Sequence, residues 1–242
     1  MNKKLIKRYT VLGILFFLPV IFLLMLFPAK HHYNALDIVN ENVLELDNTI
    51  SEDKQKIILK DYITVLGFLG TNPMENAISA SNLKELIYDK FKGFKKFQVV
   101  MVLPYGTEDQ IQLLKREIKS YEDLKYWHFV YGEDNDIRNV FNSLKFKTEL
   151  DSNLSTNEVF IIDKDLNQRG RLDDRTDSEL EKKKPAYSLY SYNCIEVAEI
   201  KNKLAADDLR VLFQEYREKR KGNFDSATRR ANDLKNSNEQ EN

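Results

Sequence analysis

The chain has 242 residues and a nearly balanced charge, with 37 lysines and arginines against 38 aspartates and glutamates. This balance gives no reason to expect a nucleic acid or another strongly charged partner. Hydrophobic residues make up 42% of the chain, which suffices for one folded domain with accessory segments. Because Cys194 is the only cysteine, an intrachain disulfide is excluded and stability must come from the core.

An uncharged apolar run from Val11 to Ala29 dominates the N-terminus. Its length is enough to cross a hydrocarbon core of about 30 Å as a helix. It exceeds the apolar part of a typical cleaved signal peptide, and no small-residue cleavage site follows it, so an uncleaved transmembrane anchor is preferred over a signal peptide. Residues 1–10 carry four cations before the run, which predicts a cytoplasmic N-terminus. We therefore expect a single-pass protein of the inner (cytoplasmic) membrane, with the remaining residues in the periplasm or another extracytoplasmic space.

The segments after the anchor alternate between strand and helix patterns. Residues 30–55 are predicted to form a polar stem, and residues 56–222 the folded domain. Apolar runs predict buried strands, and apolar residues three or four positions apart predict amphipathic helices. The predicted strands are 61–69, 97–103, 127–130, 158–163 and 168–173, and the predicted helices are 76–91, 108–123, 137–144 and 197–222. This order predicts an α/β sheet built from crossover units, with a hairpin at one edge and helices on its flanks.

Two segments do not fit this alternation. Residues 174–196 are charged at first and rich in tyrosine later, which predicts an insertion on the surface of the domain. Residues 223–242 are polar and almost free of large apolar side chains, which predicts a disordered tail. The core is therefore expected to come from the other residues of the domain.

Three motifs in a fixed order carry a resemblance to a known family. The first strand-to-helix junction reads F-L-G-T-N-P-M-E-N-A-I from Phe68 to Ile78, W-H-F-V-Y-G-E-D-N-D-I follows from Trp127 to Ile137, and the hairpin reads F-I-I-D-K-D-L-N-Q-R-G over residues 160–170. In these motifs the chain resembles the SCO/SenC family, over about Asp61 to Leu172. The resemblance implies a thioredoxin-like fold. It also implies a junction where the family holds copper, through a cysteine pair and a later histidine, during cytochrome oxidase assembly.

The chain departs from the family at the copper-binding positions. Pro73 survives, but the two cysteine positions correspond to Asn72 and Asn76. The stretch 154–158, where the family carries its histidine, contains none, and His128 lies on a different predicted strand. Copper(I) prefers thiolate and imidazole ligands, and thiol exchange needs two sulfur atoms. The site is therefore predicted to be degenerate, with no catalytic residue, no metal and no cofactor.

Structural roles explain most of the polar candidates. Asn72 is expected to be a turn or helix-capping residue before Pro73, and Asn76 to lie in the first helical turn. Cys194 is either a buried small hydrophobic residue or a reactive thiol, and its sequence neighbours offer no cation that would activate it.

Two further groups resemble metal ligands. Residues 163–167 have the alternating oxygen side chains that open a calcium loop but lack its later glycine and glutamate, so a hairpin turn is the better interpretation. His31 and His32 directly follow the anchor and are interpreted as polar residues at the membrane interface. Neither group predicts a metal site.

Three functions remain open at this point. The first is a membrane-anchored, non-catalytic SCO/SenC-like protein that binds a protein partner, with respiratory oxidase assembly implied by the resemblance. The second is a thiol-redox factor working through Cys194. The third is a structural or docking protein of the cell envelope that uses Tyr187 to Tyr192 and the terminal helix. No small-molecule substrate is indicated, and the first function is preferred.

Overall fold

The computed structural model describes residues 3–26, 35–119, 124–147 and 149–221. It divides into two compact units, Met1–Asn34 and Ala35–Asn242. The end of the predicted anchor at Ala29, the residues 30–34 of the predicted stem with their two histidines, and the predicted tail 223–242 lie outside the described residues.

The described residues of the first unit form one helix, α1 (Lys3–Leu26). The stretch Lys7–Met25 is long and apolar enough to cross a membrane, and none of it is buried within the protein. Length and composition of this kind suit a membrane span and also a signal sequence. Pro19 lies inside the helix.

In the part of the second unit that the structure describes, eight strands form one mixed sheet. The strands are β1 (Asp37–Asn40), β2 (Ile50–Ser51), β3 (Ile63–Leu69), β4 (Phe97–Pro104), β5 (Trp127–Gly132), β6 (Ser155–Ile162), β7 (Gln168–Gly170) and β8 (Tyr192–Asn193). They lie in the order β1-β7-β6-β3-β4-β5-β2, and β8 pairs with β6. The centre β3-β4-β5 is parallel, whereas β6 runs antiparallel to β3 and to β7.

Helices cover both faces of this sheet. They are α2 (Ala77–Leu83), α3 (Asp89–Phe91), α4 (Glu108–Ile118), α5 (Asp134–Asn142), α6 (Asp177–Glu181) and α7 (Arg210–Arg220), with a 3-10 turn at Pro73–Asn76 and π-helical stretches at Lys84–Tyr88 and Glu199–Leu209. Successive residues of a strand point to opposite faces, so Val65 of β3 joins one apolar cluster and Leu66 joins the other. Both clusters lie wholly between Leu36 and Leu212, and the domain therefore contains its entire core without α1.

The predicted fold class is confirmed. Helical crossovers join the three parallel strands, the β6–β7 hairpin follows, and a helix ends the domain, which is the thioredoxin-like α/β arrangement. The strands β3 and β4 are buried along their whole length, as continuous apolar runs in a parallel centre require. The helix predicted for residues 76–91 begins one turn earlier, as the 3-10 turn, and contains a π-helical stretch before Phe91.

The prediction of a stem is wrong for the described residues 35–55. β1 pairs with β7 and β2 pairs with β5, and the interspersed side chains Leu36, Val43 and Leu46 are buried. Sheet edges need a partner strand or a cover, and this segment supplies both. Its apolar residues are isolated in sequence, which is why they do not read as strands.

The prediction of a surface insertion at 174–196 is right in its first part and wrong in its last. Residues 175–187 are mostly exposed and contain the short helix α6. Tyr192 and Cys194, however, are buried, and β8 extends the sheet beside β6. The tyrosines that indicated a surface segment thus include one that fills the core.

Candidate functional site at the end of strand β3

The strand-to-helix junction begins with a glycine that no other residue could replace without strain. Gly70 has a φ of +69°, and a Cβ added there would collide with the carbonyl oxygen of Asn153. The same oxygen accepts a hydrogen bond from the Thr71 amide at 2.8 Å. The loop before β6 is therefore held directly against the junction.

Asn72 directly precedes the 3-10 turn and is exposed to solvent. Pro73 is buried at the first position of that turn, where its fixed φ and missing N–H cost nothing. Asn72 occupies the expected capping position, but its side chain makes no capping hydrogen bond. Its amide is therefore open to solvent at the junction.

Asn76 lies in the first helical turn, which is a 3-10 turn. It ends the 3-10 turn, and the α-helix begins at Ala77. Its side-chain Nδ2 donates a hydrogen bond to the Leu69 carbonyl at 3.0 Å, which ties the turn back to the end of β3. Side chains repeat every three residues in a 3-10 turn, so Asn72 and Asn76 do not stack on one face as they would in an α-helix.

Neutral side chains of α2 and β6 meet beside the junction. Ser79 on α2 donates to Asn157 Oδ1 at 2.9 Å, within the stretch where the resemblance places a histidine. His128 lies on β5, separated from β3 by β4. The described residues contain no cluster of histidine, cysteine and carboxylate side chains that could hold a metal, and the loss of copper binding stays a prediction.

The structure places Cys194 beside the junction helix, although the sequence left its position open. The Cys194 amide donates to Asn157 O at 2.8 Å, and Asn82 Nδ2 on α2 donates to Cys194 O at 2.9 Å. The side chain is buried, and this burial, followed by the charges of Glu158 and Glu199, raises the pKa of the thiol far above its ordinary value. A thiol held protonated in this way is a poor nucleophile.

Replacing Cys194 by Ala is expected to cost about 1 kcal/mol of stability, because only a small buried side chain is lost. We also expect the native thiol to react with a disulfide reagent far more slowly than the same thiol in denaturant. Measuring both rates on one preparation makes the unfolded chain the control. Fast labelling of the native protein would revive the thiol-redox function.

Exposed apolar side chains flank the junction on two sides. Ile78 is 69% exposed and lies one turn before Asn82 on α2. The Asn82 side chain donates a hydrogen bond to Cys194 O, and the next residue, Ile195, is also exposed. On the other side, Gln110 Nε2 of α4 donates to Thr71 O at 3.4 Å, and Leu113 is exposed one turn further along α4. We name Ile78, Leu113 and Ile195 the junction surface.

The hairpin carboxylates have structural partners. Asp163 Oδ1 accepts hydrogen bonds from the Asp165 and Asn167 amides at 2.9 and 3.0 Å, which confirms a hairpin turn over residues 163–167. Asp163 Oδ2 pairs with Arg169 Nη1 at 3.1 Å, and Arg169 Nη2 pairs with Glu215 Oε2 at 2.6 Å. These three side chains form a buried ionic cluster between the hairpin and α7.

Sequence reasoning missed this cluster and a second one beside it. Asp208 is buried and accepts hydrogen bonds from Arg171 and from Tyr192 Oη. Burial raises the pKa of the Asp208 carboxyl against the opposing effect of these partners. The signal was available, because Asp208 and Glu215 share the helical spacing of Leu212 on the apolar face of the terminal helix. A charge on such a face predicts a buried partner.

Comparison with solved structures gives thioredoxin-like and SCO/SenC neighbours. An SCO1/SenC family lipoprotein from Bacillus anthracis is 15% identical, with 73% of this chain and 100% of that chain covered at a TM-score of 0.46. ScoI from Arabidopsis thaliana with copper bound is 13% identical, with coverage of 69% and 95% and a TM-score of 0.39. The thioredoxin domain of a thiol-disulfide oxidoreductase from Bacteroides vulgatus is 15% identical, with coverage of 61% and 96% and a TM-score of 0.38.

No family model matches the chain, and no curated protein matches it. Identities this low describe the arrangement of strands and helices alone. The thioredoxin-like arrangement itself follows from the strand order and helical crossovers of this chain. The degenerate state of the junction, at Asn72, Pro73 and Asn76, is a separate matter and remains a prediction.

Proposed function

We propose that this chain is a membrane-anchored, non-catalytic SCO/SenC-like protein that binds a protein partner through the junction surface. Helix α1 would hold it in the inner membrane with the N-terminus in the cytoplasm and the domain on the periplasmic side. The link to respiratory oxidase assembly rests on the resemblance to the SCO/SenC family. No metal or other cofactor takes part.

One observation carries the non-catalytic part of the proposal. The two positions that would bear thiolates hold amides, and the Asn76 amide is committed to the Leu69 carbonyl at 3.0 Å. Asparagine offers neutral oxygen and nitrogen atoms, which are poor ligands for copper(I). The remaining thiol, Cys194, is buried, so neither copper transfer nor thiol exchange has the groups it needs.

The exposed apolar residues support the binding part of the proposal. The cores of protein interfaces are depleted in charge and enriched in apolar side chains. Ile78 stands out because it is 69% exposed on a helix next to the degenerate junction. The competing docking segment, Tyr187 to Tyr192, is less suited to this role, since Tyr192 is buried and bonded to Asp208 at 2.5 Å.

Site-specific photo-crosslinking in native membranes tests the proposed function. With benzoylphenylalanine at position 78 (Ile78→Bpa), we expect one discrete adduct with a membrane protein of the respiratory oxidase or its assembly apparatus. The matched control is Leu180→Bpa, because Leu180 is also an exposed apolar residue but lies on α6. The control is expected to give no such adduct.

Two results would contradict the proposal. Equal adducts from positions 78 and 180 would mean that the junction surface has no specific partner. A discrete adduct with a protein unrelated to the oxidase would overturn the assembly role but keep the docking role.

A further inference from the structure

A cleft of about 620 Å³ lies between the turn before β4 and helix α7. Five cations from three separate segments line it, namely Lys95, Lys164, Arg210, Arg217 and Arg220. We name them the basic surface. The balanced net charge of the chain, −1, therefore hides a local concentration of positive charge.

These cations lack the acidic partners that several other lysines and arginines of the domain have. Among the described residues, Lys95, Arg210, Arg217 and Arg220 form no ion pair within 4.0 Å. Burial and the neighbouring positive charges lower the pKa of Lys164, and two nearby aspartates only partly oppose this effect. Unpaired charge in a concave surface favours an anionic ligand.

An exposed aromatic side chain lies within the basic surface. Phe94 is 47% exposed, and its ring packs on Phe213 of α7 with 4.4 Å between centroids. Cations with a protruding phenylalanine are typical of protein surfaces that meet the lipid headgroup region, where the cations contact phosphates and the ring enters the acyl boundary.

The beginning of the domain is linked to helix α7 by a buried side chain. Arg169 Nη2 donates to Leu36 O at 2.8 Å and pairs with Glu215 of α7 at 2.6 Å. One side chain thus connects the start of the domain to the helix that bears three of the cations. Residues 27–34 join the domain to α1, and a segment of that length spans at most about 30 Å when fully extended.

We propose that the basic surface binds the anionic phospholipid headgroups of the membrane in which α1 is anchored. The proposal rests on the proposed function for that anchoring. A short tether keeps the domain close to the membrane in every molecule, which favours lipid over an acidic protein as the ligand.

The position of the basic surface in the fold agrees with the proposed function. Lys95 lies just before the first residue of β4, and Lys164 just after the last residue of β6, which is antiparallel to β3. The junction surface follows the last residue of β3. The two surfaces therefore lie at opposite ends of the sheet, and lipid bound at one leaves the other accessible to a protein.

Vesicle sedimentation with residues 35–242, which contain the entire core, tests the proposal without the anchor. We expect binding to vesicles of phosphatidylcholine and phosphatidylglycerol, none to phosphatidylcholine alone, and loss of binding at high ionic strength. The triple change Arg210→Glu, Arg217→Glu and Arg220→Glu is expected to weaken binding more than about a hundredfold, since each cation near an anionic surface contributes about fivefold.

The matched control changes the same amount of charge elsewhere. Lys182→Glu, Lys183→Glu and Lys184→Glu alter an exposed segment after α6 and should leave vesicle binding within about twofold, because each lies outside the cleft. Phe94→Ala should weaken binding by about tenfold with the charge unchanged. Circular dichroism and thermal unfolding of every variant establish that the domain is folded.

Three results would overturn the proposal. They are equal losses in the two triple variants, no binding of the folded domain to anionic vesicles, and tighter binding to polyglutamate than to those vesicles, which would assign the surface to an acidic protein. The vesicle assay omits α1, so a negative result in that assay would not affect the crosslinking test of the proposed function. A negative crosslinking result, in turn, would not account for a loss of lipid binding.

Discussion

Replacing Arg169 by Met is expected to lower the free energy of unfolding by about 3 kcal/mol, the lower end of the range for breaking a buried ion pair. Arg169 is buried, and its guanidinium donates hydrogen bonds to Asp163, Glu215 and the Leu36 carbonyl. Methionine keeps most of the apolar volume but leaves two buried carboxylates without this cation. The loss stays at the lower end because Asp163 keeps two backbone hydrogen bonds and Glu215 keeps its pair with Lys219.

Urea unfolding of the domain, residues 35–242, measures this loss, and a fall in melting temperature of roughly 10 °C should accompany it. The control is Arg175→Met, since Arg175 pairs with Asp173 at 2.6 Å on the surface. Exposed pairs of this kind contribute about 0–1 kcal/mol. Similar losses in the two variants would show that the buried cluster does not hold α7 to the hairpin.

Restoring two cysteines, Asn72→Cys with Asn76→Cys, is expected to convert a chain without saturable copper binding into one that binds Cu(I) stoichiometrically. Two thiolates are enough to hold Cu(I). The substitution at position 76 also removes the hydrogen bond to Leu69 O, which frees the 3-10 turn to rewind so that both thiolates reach one ion. Cu(II) should bind poorly, because residues 154–158 contain no histidine.

Competition with a chromophoric Cu(I) chelator measures this gain on the unmodified domain, the double-cysteine variant and a serine control. Asn72→Ser with Asn76→Ser removes the same two side-chain amides without adding sulfur and should bind no copper. Cys194 is present and buried in all three proteins, so any copper that it binds does not affect the comparison between them. Tight copper binding by the unmodified domain would contradict the degenerate junction, whereas a copper-free double-cysteine variant would show that Asn72 and Asn76 do not correspond to the family's cysteines.

The sequence by itself determined the central part of the fold, and it predicts the chemistry of the junction. β3 and β4 are continuous apolar runs, which only a sheet covered on both faces can bury. Helix α1 is equally clear from the uncharged apolar run that begins at Val11. The identities of Asn72, Pro73 and Asn76 exclude thiolate chemistry whatever their exact geometry, because the required sulfur atoms are not in the residues.

The tertiary structure alone decided the edges of the sheet. β1, β2 and β8 have two to four residues each, and strands this short form only when a partner strand is already in place. For the same reason, the domain begins at Leu36 and not at the predicted residue 56. Residues 192–194 likewise belong to the core and not to the predicted surface insertion.

The two polar features of the domain also depended on tertiary contacts. Arg169 and Glu215 are 46 residues apart, and the turn at Lys95 is more than a hundred residues from Arg210 on α7. Each of these charges taken alone suits a solvated surface, and local patterning cannot distinguish the buried pair from the exposed patch. Only the packing of the terminal helix against the sheet buries the first pair together and brings the second set together on an exposed surface.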